Sequence, residues 1–271
     1  MPHTEPPVIE IHDLHKSFGE LEVLKGVSLS APRGHAISMI GSSGSGKSTL
    51  VTLIPRIYDV TSGRVLVDGV DVRDLDSGEL RSLIGMVPQD PFLFSATIEE
   101  NIGLGLGIGL DLGAEESGAK DEDPDEVVLE AARVAQLHMA IEGFPKGWGT
   151  LLGERGVNLS GGQKQRTTLA RAVARDPRIL VLDDALSAVD THTEALILDD
   201  LAHVMEGRTS FIISHRVSAV MNADLILVLD GGRMVERGRH TELMALGGTY
   251  AQLLHRQMLE QDIESTTVGV K

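Results

Sequence analysis

Gly41-Ser42-Ser43-Gly44-Ser45-Gly46-Lys47-Ser48 decides the fold. It has the form G-x-x-x-x-G-K-[ST], follows the apolar run Ala36-Ile37-Ser38-Met39-Ile40, and opens a segment of helical pattern. That strand–loop–helix context is what makes the motif specific. The chemistry requires these residue types. Glycines let backbone N–H groups turn inward around phosphate oxygens, and a helix start adds the positive end of its dipole. Lys47 can reach the β- and γ-phosphates of a nucleotide, Ser48 can hold Mg²⁺, and Thr49 beside it joins the phosphate-facing set.

Outward from this loop, strand patterns at residues 8–11, 22–30, 36–40, 64–67, 83–87, 179–182, 210–213 and 225–229 alternate with helical patterns at 47–56, 126–135, 162–175 and 194–205. Alternation of this kind predicts an α/β domain with a largely parallel core. The run Ile179-Leu180-Val181-Leu182 is continuously apolar, as expected of a strand buried on both faces. Residues 103–125 turn to Gly, Asp and Glu without periodicity and predict an exposed loop. Residues 250–263 predict a C-terminal helix ahead of a frayed end.

The chain has 271 residues, 42% hydrophobic and 24% charged, and a formal net charge of -16. Such an acidic surface repels nucleic acid and anionic lipid, and 3% aromatics offer few base-stacking platforms. With no cysteine, disulfides, thiolate metal sites and cysteine catalysis are excluded, which suits a cytosolic setting. The N-terminus has no signal-peptide pattern, and no apolar run reaches the length of a membrane span. Any membrane role is expected to pass through a partner. The apolar strand at 179–182 ends in Asp183-Asp184. After a phosphate loop in the same chain, Asp183 is placed to bind Mg²⁺ and Asp184 to polarise an attacking water.

Leu159-Ser160-Gly161-Gly162-Gln163, followed by Lys164-Gln165-Arg166, resembles the LSGGQ signature of ABC ATPases. Its physical logic is a second anion site at a helix start, made by Ser160 and the amides of Gly161, Gly162 and Gln163. The resemblance implies ATP and Mg²⁺ as ligands, with the signature facing the nucleotide of a second cassette. It also implies that Gln89, in Met86-Val87-Pro88-Gln89, senses Mg²⁺ and faces the membrane subunit. Ser187-Ala188-Val189-Asp190 resembles the D-loop, with Asp190 at the nucleotide. His215, in Ile212-Ile213-Ser214-His215, resembles the switch histidine at the γ-phosphate, and Phe18 stands where the family stacks adenine, though usually with Tyr. The implied fold is an α/β P-loop NTPase cassette with a RecA-like parallel-sheet core, an antiparallel β subdomain and a helical subdomain at about 90–175. The cassette would occupy residues 1–250, leaving 251–271 as helix and tail.

From residue 54 onward the chain has an exporter look, in Pro55-Arg56-Ile57-Tyr58-Asp59, Pro88-Gln89-Asp90-Pro91-Phe92 and Gly153-Glu154-Arg155-Gly156. The last resembles the loop that touches transmembrane coupling helices, with Leu151 departing from its usual pattern. Leu14-His15-Lys16-Ser17-Phe18-Gly19 and the phosphate loop look more like an amino-acid importer ATPase subunit. In active family members the residue at this position is usually Glu, where this chain has Asp184. One methylene less retracts the carboxylate by about 1.5 Å, and displacements near 1 Å can cost on the order of a hundredfold in rate. The expectation is therefore a slow site on this chain's own phosphate loop. It would sit in a homodimer or, better fitting Asp184, in a heterodimer with a Glu-bearing cassette, on the cytoplasmic face of a membrane beneath transmembrane subunits. Rival readings are a catalytically weak regulatory module and a soluble ABC protein acting on DNA or ribosomes; no nucleic-acid partner is expected.

Overall fold

Strand β3 (Ala36–Ile40) is almost entirely buried, and its parallel neighbours explain why. In the computed structural model it pairs with β8 (Thr209–Ile213) on one side and β9 (Leu225–Asp230) on the other, from Ala36↔Ser210 to Met39↔Ile213 and from Ile37↔Leu225 to Ile40↔Val228. The structure describes residues 7–106, 124–153, 159–214 and 220–268. Two compact units form, Met1–Arg81 with Gly207–Lys271, and Ser82–Glu206.

In the first unit, β10 (Arg233–Gly238) runs antiparallel to β9 at the edge. A separate four-stranded antiparallel sheet has the order β2 (Leu21–Ala31), β1 (Ile9–Phe18), β4 (Ser62–Val67), β5 (Val70–Asp71). One face of that sheet buries Ile9, Ile11, Leu14, Leu24, Val27, Leu29, Val65 and Val67, the alternation of a half-buried antiparallel sheet. Helices α1 (Lys47–Leu53) and α2 (Ser77–Ser82) follow the phosphate loop and β5. Near the C-terminus, α8 (His240–Leu246) and α9 (Thr249–Val268) lay Leu243, Tyr250 and Leu254 on Ile40, Ile226 and Val228.

The second unit holds the parallel pair β6 (Ile84–Val87) and β7 (Ile179–Asp183), in register from Ile84↔Ile179 to Val87↔Leu182. Around them stand α3 (Ile98–Gly103), α4 (Pro124–Val134), α5 (His138–Glu142), α6 (Gly161–Ala174) and α7 (Thr191–Met205). Arg171 of α6 donates to the Asn101 carbonyl at 2.7 Å, to Asn101 Oδ1 at 2.8 Å and to the Phe92 carbonyl at 2.8 Å, and lies over the Phe94 ring. Burial pushes its guanidinium down to about 10.

Three expectations shift. The first strand, expected at 8–11, runs to Phe18, because register shifts at Ile11/Leu14, Leu14/His15 and Lys16/Ser17 break the period-two pattern without ending the pairing. The first helix, expected to reach residue 56, ends at Leu53 with Ile54 as its cap. Pro55 supplies no N–H to continue the ladder, and Arg56 adopts φ 52. The stretch expected as loop at 103–125 keeps a 3₁₀ turn at Leu104–Leu106, where Gly105 lies against α6. A side chain on Gly105 would stand 2.4 Å from the Arg171 carbonyl. Residues 107–123 lie outside the described residues.

Candidate functional site

Each parallel strand delivers its motif at its carboxyl end, where ligands bind in open α/β sheets. β3 runs into the phosphate loop, β7 ends on Asp183, and β6 leads through Pro88 to Gln89. Gln89 and Asp184 each stand two residues past the last rung, Val87↔Leu182, so the second unit brings both to one end.

In the phosphate loop the glycines answer to different constraints. Gly41 has no room for a side chain, since a Cβ would lie 2.1 Å from the Leu229 carbonyl oxygen. Gly44 has φ 76 with open space around it, so only its backbone conformation demands glycine. Gly46 has both reasons, φ 99 and a would-be contact of 2.7 Å with Leu24 Cδ2. Gly46 caps α1 from the left-handed region and, lacking a side chain, makes no capping hydrogen bond itself. Lys47 is 6% exposed, and its ammonium donates to the Gly41 carbonyl at 2.8 Å, the Ser42 carbonyl at 2.9 Å and Ser45 Oγ at 3.2 Å. The charge is thereby held over the loop it would share with phosphate. Ser42, Ser43 and Gly44 are exposed, Ser45 is buried, and Ser48 and Thr49 are half-buried on the first turn of α1. This cradle fits a nucleoside triphosphate, and Ser48 on the first turn of α1 offers an oxygen donor of the kind Mg²⁺ takes.

Asp183 is buried and Asp184 half-buried. Asp184 sits at φ 49, a left-handed conformation that Asp tolerates better than most residues. Its carbonyl accepts from Ser187 N at 3.3 Å, Ser187 Oγ at 3.0 Å and Gln165 Nε2 at 3.4 Å. Gln165, 3% exposed on α6, also donates to Ser187 Oγ at 2.9 Å and accepts from Ala188 N at 2.8 Å. It fastens the helix of the signature to the D-loop, a role the sequence reading missed. The available signal was a second glutamine one helical half-turn past Gln163.

The signature opens α6 with a capping box: Ser160 Oγ accepts from Gln163 N at 3.2 Å, and Gln163 Oε1 accepts from Ser160 N at 2.9 Å. Ser160 and Gly161 are exposed. Gly162 is required by proximity, because a Cβ there would stand 2.7 Å from the Ala188 carbonyl oxygen. Asp190 caps α7, accepting from Thr193 N at 2.9 Å. That amide bond, aided by the charge of Arg166, lowers its carboxyl below the usual range. Phe18 ends β1 half-exposed beside Tyr58, which the sequence reading had not joined to it. His215 and the segment Glu154-Arg155-Gly156 lie outside the described residues.

These features define an α/β domain with a phosphate-loop motif at the start of α1 and a second glycine-rich motif at the start of α6. The chain matches the family described as ABC transporter over residues 24–187. It is 45% identical over 246 residues to Multidrug resistance protein 1 of Entamoeba histolytica, an alignment covering 91% of this chain and 18% of that protein. It is 45% identical over 237 residues to the putative multidrug export ATP-binding/permease protein YgaD of Bacillus subtilis, covering 88% of this chain and 38% of that one. Among solved structures, a bacterial Atm1-family ABC exporter with ATP bound superposes with a TM-score of 0.84 at 38% identity, over 95% of this chain and 44% of that one. The chain thus belongs to the ABC transporter family as its ATP-binding domain, and it spans less than half the length of these relatives. Among the described residues no helix is long and apolar enough to cross a membrane.

Proposed function

We propose that this cassette hydrolyses ATP to drive export through transmembrane domains outside this sequence, working at the cytoplasmic face in a head-to-tail pair with a second cassette. The observation that carries the proposal is the phosphate loop: glycines that backbone approach or left-handed φ demands, a helix start without a side-chain cap, and a lysine held over it. Lys47 and the amides from Gly41 to Thr49 would hold the phosphates. Ser48, Gln89 and Asp183 would hold Mg²⁺, which when bound neutralises charge on the phosphate oxygens. Phe18 would stack the base, His215 would meet the γ-phosphate, and Asp184 would polarise the water. Ser160, Gly161, Gly162, Gln163 and Asp190 would face the nucleotide on the partner's phosphate loop. The cassette is assigned to residues 1–250, with its helical part at about 90–175.

Asp184 favours a heterodimer whose other member carries Glu, with slow turnover on this chain's own site. Replacing Asp184 by Glu is expected to raise the steady-state ATPase rate of the purified chain several-fold. A flat or reduced rate would mean that carboxylate reach does not limit hydrolysis. The same residue supports a second reading, a nucleotide-gated module with negligible catalysis. Phosphate release measured beside a Glu-bearing partner separates the two, since a regulatory module contributes none from its own site.

A further inference from the structure

Phe18 is a half-exposed ring at the tip of a two-residue hairpin turn, 43% exposed, and such a ring would ordinarily sample several rotamers. Here it is held. Tyr58, 48% exposed, meets it edge-to-face with centroids 5.3 Å apart and planes at 88°. Lys16, two residues back on β1, sets its ammonium 4.7 Å from the Phe18 centroid and 5.5 Å from that of Tyr58. The ammonium is itself pinned, donating to the Asp59 carbonyl at 2.8 Å. Two further bonds staple the strand end to the segment that follows α1, Ser17 N to Thr61 Oγ1 and Thr61 N to the His15 carbonyl, both 2.9 Å. The hairpin also abuts the phosphate loop. Leu24, the register partner of Lys16, is the side chain that a Cβ on Gly46 would meet at 2.7 Å. The aromatic pair therefore stands at the end of a strand bonded to the segment after α1, in a hairpin whose other strand reaches the phosphate loop through Leu24.

We infer that Tyr58 is a positioning residue for the nucleotide base: it fixes the Phe18 ring, with Lys16 against it, in the orientation that an incoming purine stacks on. The inference rests on the reading of Phe18 as the base platform. Edge-to-face packing needs the ring of Tyr58 and not its hydroxyl, so Phe should replace it and Ala should not.

Calorimetric titration of the full chain with Mg-ATP and with Mg-tripolyphosphate, which has phosphates and no base, tests both layers. Phe18→Ala should weaken ATP about tenfold or more and leave tripolyphosphate unchanged. Tyr58→Ala should weaken ATP by about three- to tenfold, the scale of one aromatic pair, again without touching tripolyphosphate, and Tyr58→Phe should bind as the wild type does. If Phe18→Ala has its effect while Tyr58→Ala binds ATP normally, the positioning role is wrong and the platform stands. Equal weakening of both ligands in Tyr58→Ala also overturns the role, because the defect then lies in the loop. If neither Phe18→Ala nor Tyr58→Ala changes ATP binding, the platform reading falls as well.

Discussion

The two helix starts that carry phosphate-binding motifs are built on opposite plans. α1 begins at Gly46 in the left-handed region with no capping side chain on that residue, and its charge is supplied by Lys47. α6 begins with Ser160 and Gln163 closing one another's backbone amides in a capping box. The first has no cap of its own. The second carries its own cap and would meet an anion only through what the box leaves over, the hydroxyl proton of Ser160 and the remaining amides. A site that grips its own nucleotide needs the first design. One that must stay folded until a partner's nucleotide arrives is served by the second.

The largest expected effect would come from Lys47→Ala. Removing the charge should weaken ATP binding by about a hundredfold or more, the scale for losing one preorganised donor to an anion, and leave the fold of α6 intact by circular dichroism. If affinity survives, the amides alone form the site and the contrast between the helices disappears.

Ser160→Asp tests the other side. Asp caps a helix as well as Ser does and suits the dipole, so the melting temperature should hold. Its carboxylate would repel the partner's γ-phosphate, so ATP-driven dimerisation, followed by light scattering, should be lost. Ser160→Ala should instead cost stability, about 1 kcal/mol. A Ser160→Asp chain that still dimerises with ATP would remove this residue from the interface.

The smallest effects concern the glycines. Gly46→Ala faces both φ 99 and the Leu24 contact and should lower the melting temperature by about 4 °C or more. Gly161→Ala, helical and 3.3 Å from the Ala188 Cβ, should stay within about 0.5 kcal/mol of wild type. Equal effects would mean that the two starts are more alike than their backbones suggest.

What could be read from the sequence follows the reach of each interaction. The phosphate loop, the acidic strand end and the signature are contiguous, and their chemistry is written in consecutive residues. Buried strands such as β7 were equally plain, because a run of apolar residues needs no partner to be recognised. The capping boxes Thr97-x-x-Glu100 and Ser160-x-x-Gln163 were also written locally, and the first marks α3, a helix the periodicity did not suggest. Pro55 carried the true end of α1. The pairing of Phe18 with Tyr58, and the grip of Gln165 on the D-loop, join residues 40 and about 20 positions apart. No local pattern encodes such contacts. The bulges of β1 hid a ten-residue strand by shifting its alternation.

Arg171 gives the second unit a mechanical property. One half-buried guanidinium ties α6 to the Asn101 carbonyl and side chain of α3 and to the carbonyl of Phe92, five residues from the end of β6. The two bonds to Asn101 are part-buried, where water competes less freely, while the bond to Phe92 is exposed. The joint behaves like a rivet: a push on the chain after Gln89 would travel into the helix of the signature as displacement instead of being spent on bending the loop.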